Sequence, residues 1–159
     1  MQRKATKDLD SVDRRMLAIL VADGRISWNE LAEKVGLSNT PVLRRLRSLE
    51  ADGVIAGYGA RLDEAKLGYP ASAFVWVTLD SQSGASLAAF ETAVADMPEV
   101  MTCFMVSGSN DYLLRVIVKD LEAYRTFVSN KLSALPGVAR LNSSFALKAV
   151  IQRSAPPLS

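Results

Sequence analysis

The sequence predicts an α+β protein built from an N-terminal helix-turn-helix domain, winged-helix-like in type, and a C-terminal ferredoxin-like domain. The first third of the chain contains three short amphipathic helix patterns, and the remainder alternates strand and helix patterns in the order β-α-β-β-α-β. A chain of 159 residues with 49% hydrophobic content can form two small domains. We therefore expect a helix-turn-helix domain over 1–53, an extended linker strand over 54–69, a ferredoxin-like domain over 70–152 and a flexible tail over 153–159.

Local capping signals delimit the first two helices. Asp10, followed three residues later by Asp13, is typical of a helix start. Ser27 and Glu30 have the spacing of a capping box, and Gly36 ends the second helix in a tight turn.

The third helix has the pattern of a DNA-reading helix. Ser38 is placed to cap it, Pro41 suits its first turn, and its basic residues lie mostly opposite its apolar stripe. A solvated surface helix is the alternative, but the preceding turn and helix favour insertion into the major groove of DNA. The candidate DNA-binding residues are Arg25, Ser27, Ser38, Asn39, Thr40, Arg44, Arg45 and Arg47.

These candidates divide by expected role. We expect Asn39, Thr40 and Arg44 to approach base edges. Ser38, Arg25 and Arg47 are expected to bind phosphates and set the register on the duplex. Arg45 lies nearer the apolar side of the helix, which favours a structural or phosphate-binding role.

The second half predicts four strands and two helices. Strands are expected over 71–79, 100–106, 112–118 and within 138–151, and the second and third of these form a hairpin. Apolar stripes predict helices over about 87–97 and 121–135. Both faces of the strands are rich in apolar residues. Because two helices can cover only one face, we expect the other face to pack on a second copy of the chain.

Composition excludes several kinds of chemistry. The chain has no histidine, which removes Ser–His and Cys–His nucleophiles and histidine-ligated metals. The single Cys103 cannot form an intramolecular disulfide and argues against a cysteine-based zinc site. No secretory signal or membrane-spanning run is evident, so we expect a cytoplasmic protein. We also expect no cofactor and no bound metal.

Motifs along most of the chain resemble those of the Lrp/AsnC family, the leucine-responsive or feast/famine regulators. The resemblance rests on the following segments, read in order: Leu9-Asp10, Asp23-Gly24-Arg25-Ile26-Ser27, Val35-Gly36-Leu37-Ser38, Thr40-Pro41-Val42, Gly53-Val54-Ile55, Pro98-Glu99-Val100, Ser107-Gly108, Asp111-Tyr112-Leu113-Leu114 and Leu135-Pro136-Gly137-Val138. It implies a transcription regulator whose dimers pair their sheets, assemble into tetramers or octamers and bind amino-acid effectors.

The segment 107–111 is interpreted in two ways. Its Gly, Ser, Asn and Asp residues suit a simple hairpin turn. The resemblance instead implies an effector loop, in which backbone N–H groups near Gly108 bind an amino-acid carboxylate and Asp111 meets its ammonium. Family members often carry an acidic or bulky residue where this chain has Ser109 and Asn110, which leaves the effector's identity open.

Further pocket residues come from the same resemblance. Met105 and Leu121 have ordinary apolar packing as their alternative role. The full set of candidate effector residues is Met105, Ser107, Gly108, Ser109, Asn110, Asp111, Leu121, Ser143, Ser144 and Phe145.

The sequence thus favours a DNA-binding transcriptional regulator that responds to an amino-acid effector. An enzyme resembling the sirohaem decarboxylases is the main alternative, and the absence of histidine disfavours it. RNA binding by the sheet is a second alternative. It is disfavoured because the hairpin strand 101–107 lacks the basic and aromatic pattern used to stack bases.

Overall fold

The computed structural model describes residues 8–158, which form two compact units. The first contains residues 8–61 and 151–158, and the second spans residues 62–150. The outermost parts of the expected helix-turn-helix domain and tail, residues 1–7 and 159, lie outside the described residues.

The first unit contains three helices: α1 (Ser11–Ala22), α2 (Trp28–Val35) and α3 (Asn39–Ala51). The side chain of Asp10 accepts a hydrogen bond from the backbone N–H of Asp13, and Ser27 and Glu30 form the reciprocal capping box. Gly36 ends α2 in the left-handed conformation with φ 73°, which favours glycine because it has no Cβ. These predicted helix boundaries are confirmed.

Ser38 is the N-cap residue of α3, as predicted, but its side chain makes no capping hydrogen bond. The expectation of a hydroxyl cap was therefore wrong. Because the hydroxyl is exposed and makes no such bond, it remains available to a ligand at the helix start.

The linker strand expected over 54–69 is absent from the structure. The N–H groups of Val54 and Ile55 both donate to the carbonyl oxygen of Leu49, at 2.9 and 3.1 Å, and so close the end of α3. Farther on, the N–H of Tyr69 donates to the carbonyl oxygen of Glu64 at 2.9 Å within a turn. These backbone groups are used locally, whereas a strand needs a neighbouring strand to accept its hydrogen bonds.

The second unit is a four-stranded antiparallel sheet with two helical segments. Its strands are β1 (Ala71–Leu79), β2 (Val100–Met105), β3 (Tyr112–Val118) and β4 (Val138–Phe145), in the spatial order β2-β3-β1-β4. Helix α4 (Gly84–Ala95) follows β1, and α5 (Leu121–Phe127) follows β3. The predicted ferredoxin-like order is therefore confirmed.

A turn of π-helix over Val128–Leu132 continues α5, where the sequence predicted one regular helix to residue 135. The N–H of Ser133 donates to the carbonyl oxygen of Val128, five residues earlier, at 2.8 Å. The wider turn places Leu132 in the core and leaves Lys131 exposed. An α-helical turn after Phe127 would instead direct residue 131 towards the core.

The two faces of the sheet differ in their covering. On the face covered by the helices, Val75, Val77 and Leu114 are fully buried. On the opposite face, which we call the open face, Phe74 is 38% exposed and Phe104 is 58% exposed. This exposure is what we expect of a surface that pairs with a second copy, and that pairing stays a prediction.

Among the described residues, no helix is long and apolar enough to cross a membrane.

Candidate nucleic-acid interface and effector loop

The outer face of α3 presents Thr40, Arg44 and Arg47 to solvent. Successive residues turn by about 100°, which places these three side chains within about 60° of one another around the helix axis. Val42, Leu46 and Leu49 occupy the other side and are buried. The helix therefore separates a polar, cationic face from the core.

The start of α3 is tied to α2 by a side-chain hydrogen bond. The Asn39 amide donates to the Asn29 side-chain oxygen at 2.5 Å, and both residues are exposed. Asn29 carries no local signal for this role, because a contact across ten residues depends on how the two helices pack. The bond leaves Asn39 with its oxygen and one N–H for a base edge.

Arg25 and Ser27 lie at the start of α2. Arg25 is exposed, and its backbone N–H donates to the Asp23 carboxylate at 2.9 Å. The Ser27 hydroxyl donates to the Glu30 carboxylate at 2.7 Å and accepts from the Glu30 N–H at 3.3 Å. The Ser27 hydroxyl, and then the Ser27 backbone N–H at 3.0 Å, donate to the Glu30 carboxylate and lower the pKa of Glu30. Ser27 is therefore engaged in capping, which makes it the weaker phosphate ligand of the two.

Arg45 points away from the cationic face. Its Nη1 donates to the carboxylates of Asp10 and Asp13 at 2.7 and 2.9 Å. The sequence predicted either a structural or a phosphate-binding role for Arg45, and this geometry favours the structural role.

Asp111, which was predicted to meet an effector's ammonium, is 8% exposed. It directly precedes β3 and lies beside the last residue of β1, Leu79. One carboxylate oxygen accepts from the backbone N–H of Leu79 and the other from the side-chain amide of Gln82, each at 2.7 Å. Its own N–H donates to the carbonyl oxygen of Val77 at 2.9 Å. The carboxylate thus anchors the loop to β1, through partners about thirty residues away that no local pattern indicates.

The rest of the loop is more open. Ser107, Gly108 and Ser109 are exposed, and Gly108 has φ 123°, a conformation that favours glycine. The Asn110 side chain accepts a hydrogen bond from the Thr78 hydroxyl at 3.3 Å and donates to Ser109 Oγ at 3.2 Å. Exposed backbone on an anchored loop can receive a small anionic group.

The predicted residues of β4 and α5 form a separate group. The Tyr124 hydroxyl hydrogen-bonds to Ser143, and the Tyr124 ring packs edge-on against Phe145 at a centroid distance of 4.8 Å. Leu121, at the start of α5, is 68% exposed. Ser144 pairs with Phe74 and therefore faces the opposite side of the sheet from Ser143.

Strand register keeps these two groups apart within one chain. Asp111 immediately precedes Tyr112, which pairs with Val77, whereas Ser143 pairs with Val75 and Phe145 with Ala73. With ~3.4 Å per residue and ~4.8 Å between strands, Asp111 lies about 14 Å from Ser143 and about 19 Å from Phe145. One amino acid cannot bridge these distances within a single copy.

A cleft of about 340 Å³ lies between α4 and β2. Its walls include Met105 and Cys103, and Tyr112 donates a hydrogen bond to the Glu91 carboxylate there at 2.8 Å. Burial raises the pKa of the Cys103 thiol, with a further contribution from Glu91, so this thiol is not activated as a nucleophile. Within residues 8–158, no group of His, Cys, Asp and Glu side chains could hold a metal ion.

Comparison with known proteins identifies both parts of the chain. A family model described as Lrp/AsnC ligand binding domain matches residues 72–156, and one described as winged helix-turn-helix DNA-binding matches residues 9–56. The chain belongs to the Lrp/AsnC family. It is therefore a transcriptional regulator with an N-terminal DNA-binding domain, as the sequence predicted.

Curated relatives of this Lrp/AsnC regulator match over almost its whole length. The Bkd operon transcriptional regulator of Pseudomonas aeruginosa is 54% identical over 95% of this chain and 99% of its own. The proline dehydrogenase transcriptional activator of Rhodobacter capsulatus is 44% identical over 94% of this chain and 97% of its own.

Solved structures have the same fold. The transcriptional regulator NMB0573 of Neisseria meningitidis, solved as a complex with L-Met, is 35% identical and superposes with a TM-score of 0.90 over 95% of this chain and 97% of its own. Escherichia coli AsnC, at 22% identity and a TM-score of 0.84 over 95% of this chain and all of its own, shows the fold alone.

Proposed function

We propose that this regulator reads DNA with the outer face of α3 and that its DNA binding or its assembly responds to an amino acid. The exposed cationic face formed by Thr40, Arg44 and Arg47 is the observation that carries the DNA part of the proposal. Because its proposed target is DNA, we place this regulator in the cytoplasm.

In this mechanism the start of α3 enters the major groove. Asn39, Thr40 and Arg44 contact base edges, and the arginine is suited to a bidentate contact with guanine. Ser38, Arg25 and Arg47 contact phosphates and fix the register, which gives affinity without sequence information.

Substitution of the two exposed arginines tests the DNA part. We expect Arg44→Ala to weaken binding to the preferred sequence by about 1–3 kcal/mol and to relax discrimination. Arg47→Ala should weaken binding to all sequences alike and reduce the slope of log affinity against log salt by about 0.9. Mobility-shift titrations at several salt concentrations measure both effects. If neither substitution changes binding, α3 does not dock by this face.

The effector part of the proposal places an amino-acid carboxylate on the backbone of the exposed residues 107–109. The L-Met complex of the Neisseria meningitidis protein supports this class of ligand. The bonds to Leu79 and Gln82 favour Asp111 as the residue that holds the loop in shape. Since the β4 and α5 group lies too far away within one copy, Leu121, Ser143 and Phe145 would reach the ligand from a second copy. Ser144, which faces the other side of the sheet, does not belong with them.

A thermal-shift screen of the twenty amino acids tests the effector part. A ligand at 100 times its Kd stabilises the folded state by about 2.7 kcal/mol. Ser109→Leu should reduce the response by crowding the exposed loop. Ser129→Leu, an equal change at an exposed position outside the loop, should leave it intact. A screen without any response would contradict the effector proposal, and an equal response in both variants would place the ligand elsewhere.

Assembly follows from the open face of the sheet. We propose a homodimer that buries Phe74 and Phe104 and associates further into tetramers or octamers. Exposed aromatic side chains on one face of a sheet are the support for this contact.

A further inference from the structure

Arg45 connects the middle of α3 to the first turn of α1. A single guanidinium nitrogen, Nη1, donates to Asp10 Oδ2 at 2.7 Å and to Asp13 Oδ1 at 2.9 Å. The Asp13 side chain is 7% exposed and the Arg45 side chain 29% exposed, so this half of the contact is partly withdrawn from water, whereas the Asp10 side chain is 50% exposed. Asp10 also caps α1, which means that one cluster joins the start of α1 to the body of α3.

The direction of Arg45 separates it from its basic neighbours. Around the helix axis it lies about 100° from Arg44 and about 160° from Arg47, but only about 40° from the buried Leu49. Arg44 and Arg47 are exposed on the outer face. A duplex that docks on that face would therefore meet Arg44 and Arg47, whereas Arg45 lies behind it.

We infer that Arg45 is a positioning residue for DNA recognition: with Asp10 and Asp13 it holds α3 at its angle in the helical unit and does not bind phosphate. The inference rests on the proposed use of α3 as the recognition helix. A groove-reading helix must hold its side chains close to the productive geometry, and an arginine between two carboxylates fixes both position and orientation.

Charge makes this inference separable from a phosphate contact. If Arg45 bound phosphate, Asp10 and Asp13 would compete with DNA for it, and Asp10→Asn would strengthen DNA binding. If the three residues form a clamp, loss of either partner loosens α3 and weakens binding, although the protein becomes more positive. The two roles thus predict opposite signs for the same substitution.

The experiment measures affinity and salt slope for full-length Arg45→Gln, Asp10→Asn and Asp13→Asn on the preferred duplex. We expect each to weaken binding about tenfold, which corresponds to about 1.4 kcal/mol. The salt slope should stay at the wild-type value, since no phosphate contact is lost. If Asp13→Asn fails to fold, Asp10→Asn still tests the inference, because Asp10 is the more exposed of the two carboxylates.

Matched controls separate this inference from the proposed docking face. Arg47→Gln makes the same chemical change two residues away and should reduce the salt slope. Glu33→Gln removes an exposed acidic charge from α2 and should not weaken binding. A reduced slope in Arg45→Gln, unchanged affinity in that variant, or stronger binding by Asp10→Asn would each overturn the inference. Unchanged binding by Arg44→Gln and Arg47→Gln would instead overturn the docking face.

Discussion

Replacement of Asp111 by alanine should destabilise the second unit substantially. The substitution removes two hydrogen bonds to a carboxylate, from the Leu79 N–H and the Gln82 amide, each at 2.7 Å. A hydrogen bond to a charged group contributes about 1.5–3 kcal/mol, and an unpaired buried N–H costs about 1–3 kcal/mol. Because water can enter the space left beside the exposed loop, we expect a net loss of about 2–4 kcal/mol.

The two tryptophans of the chain allow this loss to be assigned to one unit. Trp28 lies in the helical unit and Trp76 in the sheet unit, so Trp28→Phe leaves Trp76 as the reporter of the sheet. Urea unfolding in that background gives the free energy from the midpoint and the slope. Asp96→Ala, at an exposed position after α4, is the matched control.

The result distinguishes an anchoring carboxylate from a ligand contact. A loss below about 0.5 kcal/mol for Asp111→Ala is typical of an ordinary surface site and would refute the anchoring role. Effector affinity that falls with unchanged unfolding free energy would assign Asp111 to the ligand instead.

Two further predictions concern assembly and pH. Phe104→Glu places a charge on the open face and should shift the protein towards monomer in sedimentation velocity, whereas Val21→Glu on α1 should not; an unchanged assembly would exclude that face. The pKa of Asp10 lies below its ordinary value of 3.8, first because of the hydrogen bond from the Asp13 N–H and then because of Arg45. The ionised Asp10 carboxylate therefore stabilises the folded state fully above pH 3.8. This stabilisation is lost as the pH falls through the lowered pKa. Asp10→Asn should therefore be less stable than wild type at pH 7, and the difference in urea midpoint should narrow below about pH 3.8; a difference independent of pH would contradict this role.

Local signals allowed most elements of the fold to be predicted. Ser27 with Glu30, and Gly36 after α2, act through neighbouring backbone groups, so their positions in the sequence specify a helix start and a helix end. Strand periodicity placed β1 and β3 at their observed bounds because alternate residues such as Val75 and Val77 are buried.

The missed features depend on contacts distant in sequence. Asp111 pairs with Leu79 and Gln82, which are 32 and 29 residues away, and Arg45 pairs with Asp10 and Asp13, which are 35 and 32 residues away. The residue types allowed a turn and a basic helix to be predicted, but the partners emerge only from packing. The π-helical turn after Phe127 was missed for a related reason, since burial of Leu132 overrides the regular period.

Selection of duplexes from a randomised pool tests most directly the claim that α3 reads DNA as part of a two-fold assembly. The wild-type protein should enrich an inverted repeat whose half-sites are centred one helical turn apart, about 34 Å. The Arg44→Ala protein, selected in parallel, should lose preference at one position in each half-site while retaining the spacing. Enrichment of no sequence, of a single half-site, or of the same motif by both proteins would contradict the account.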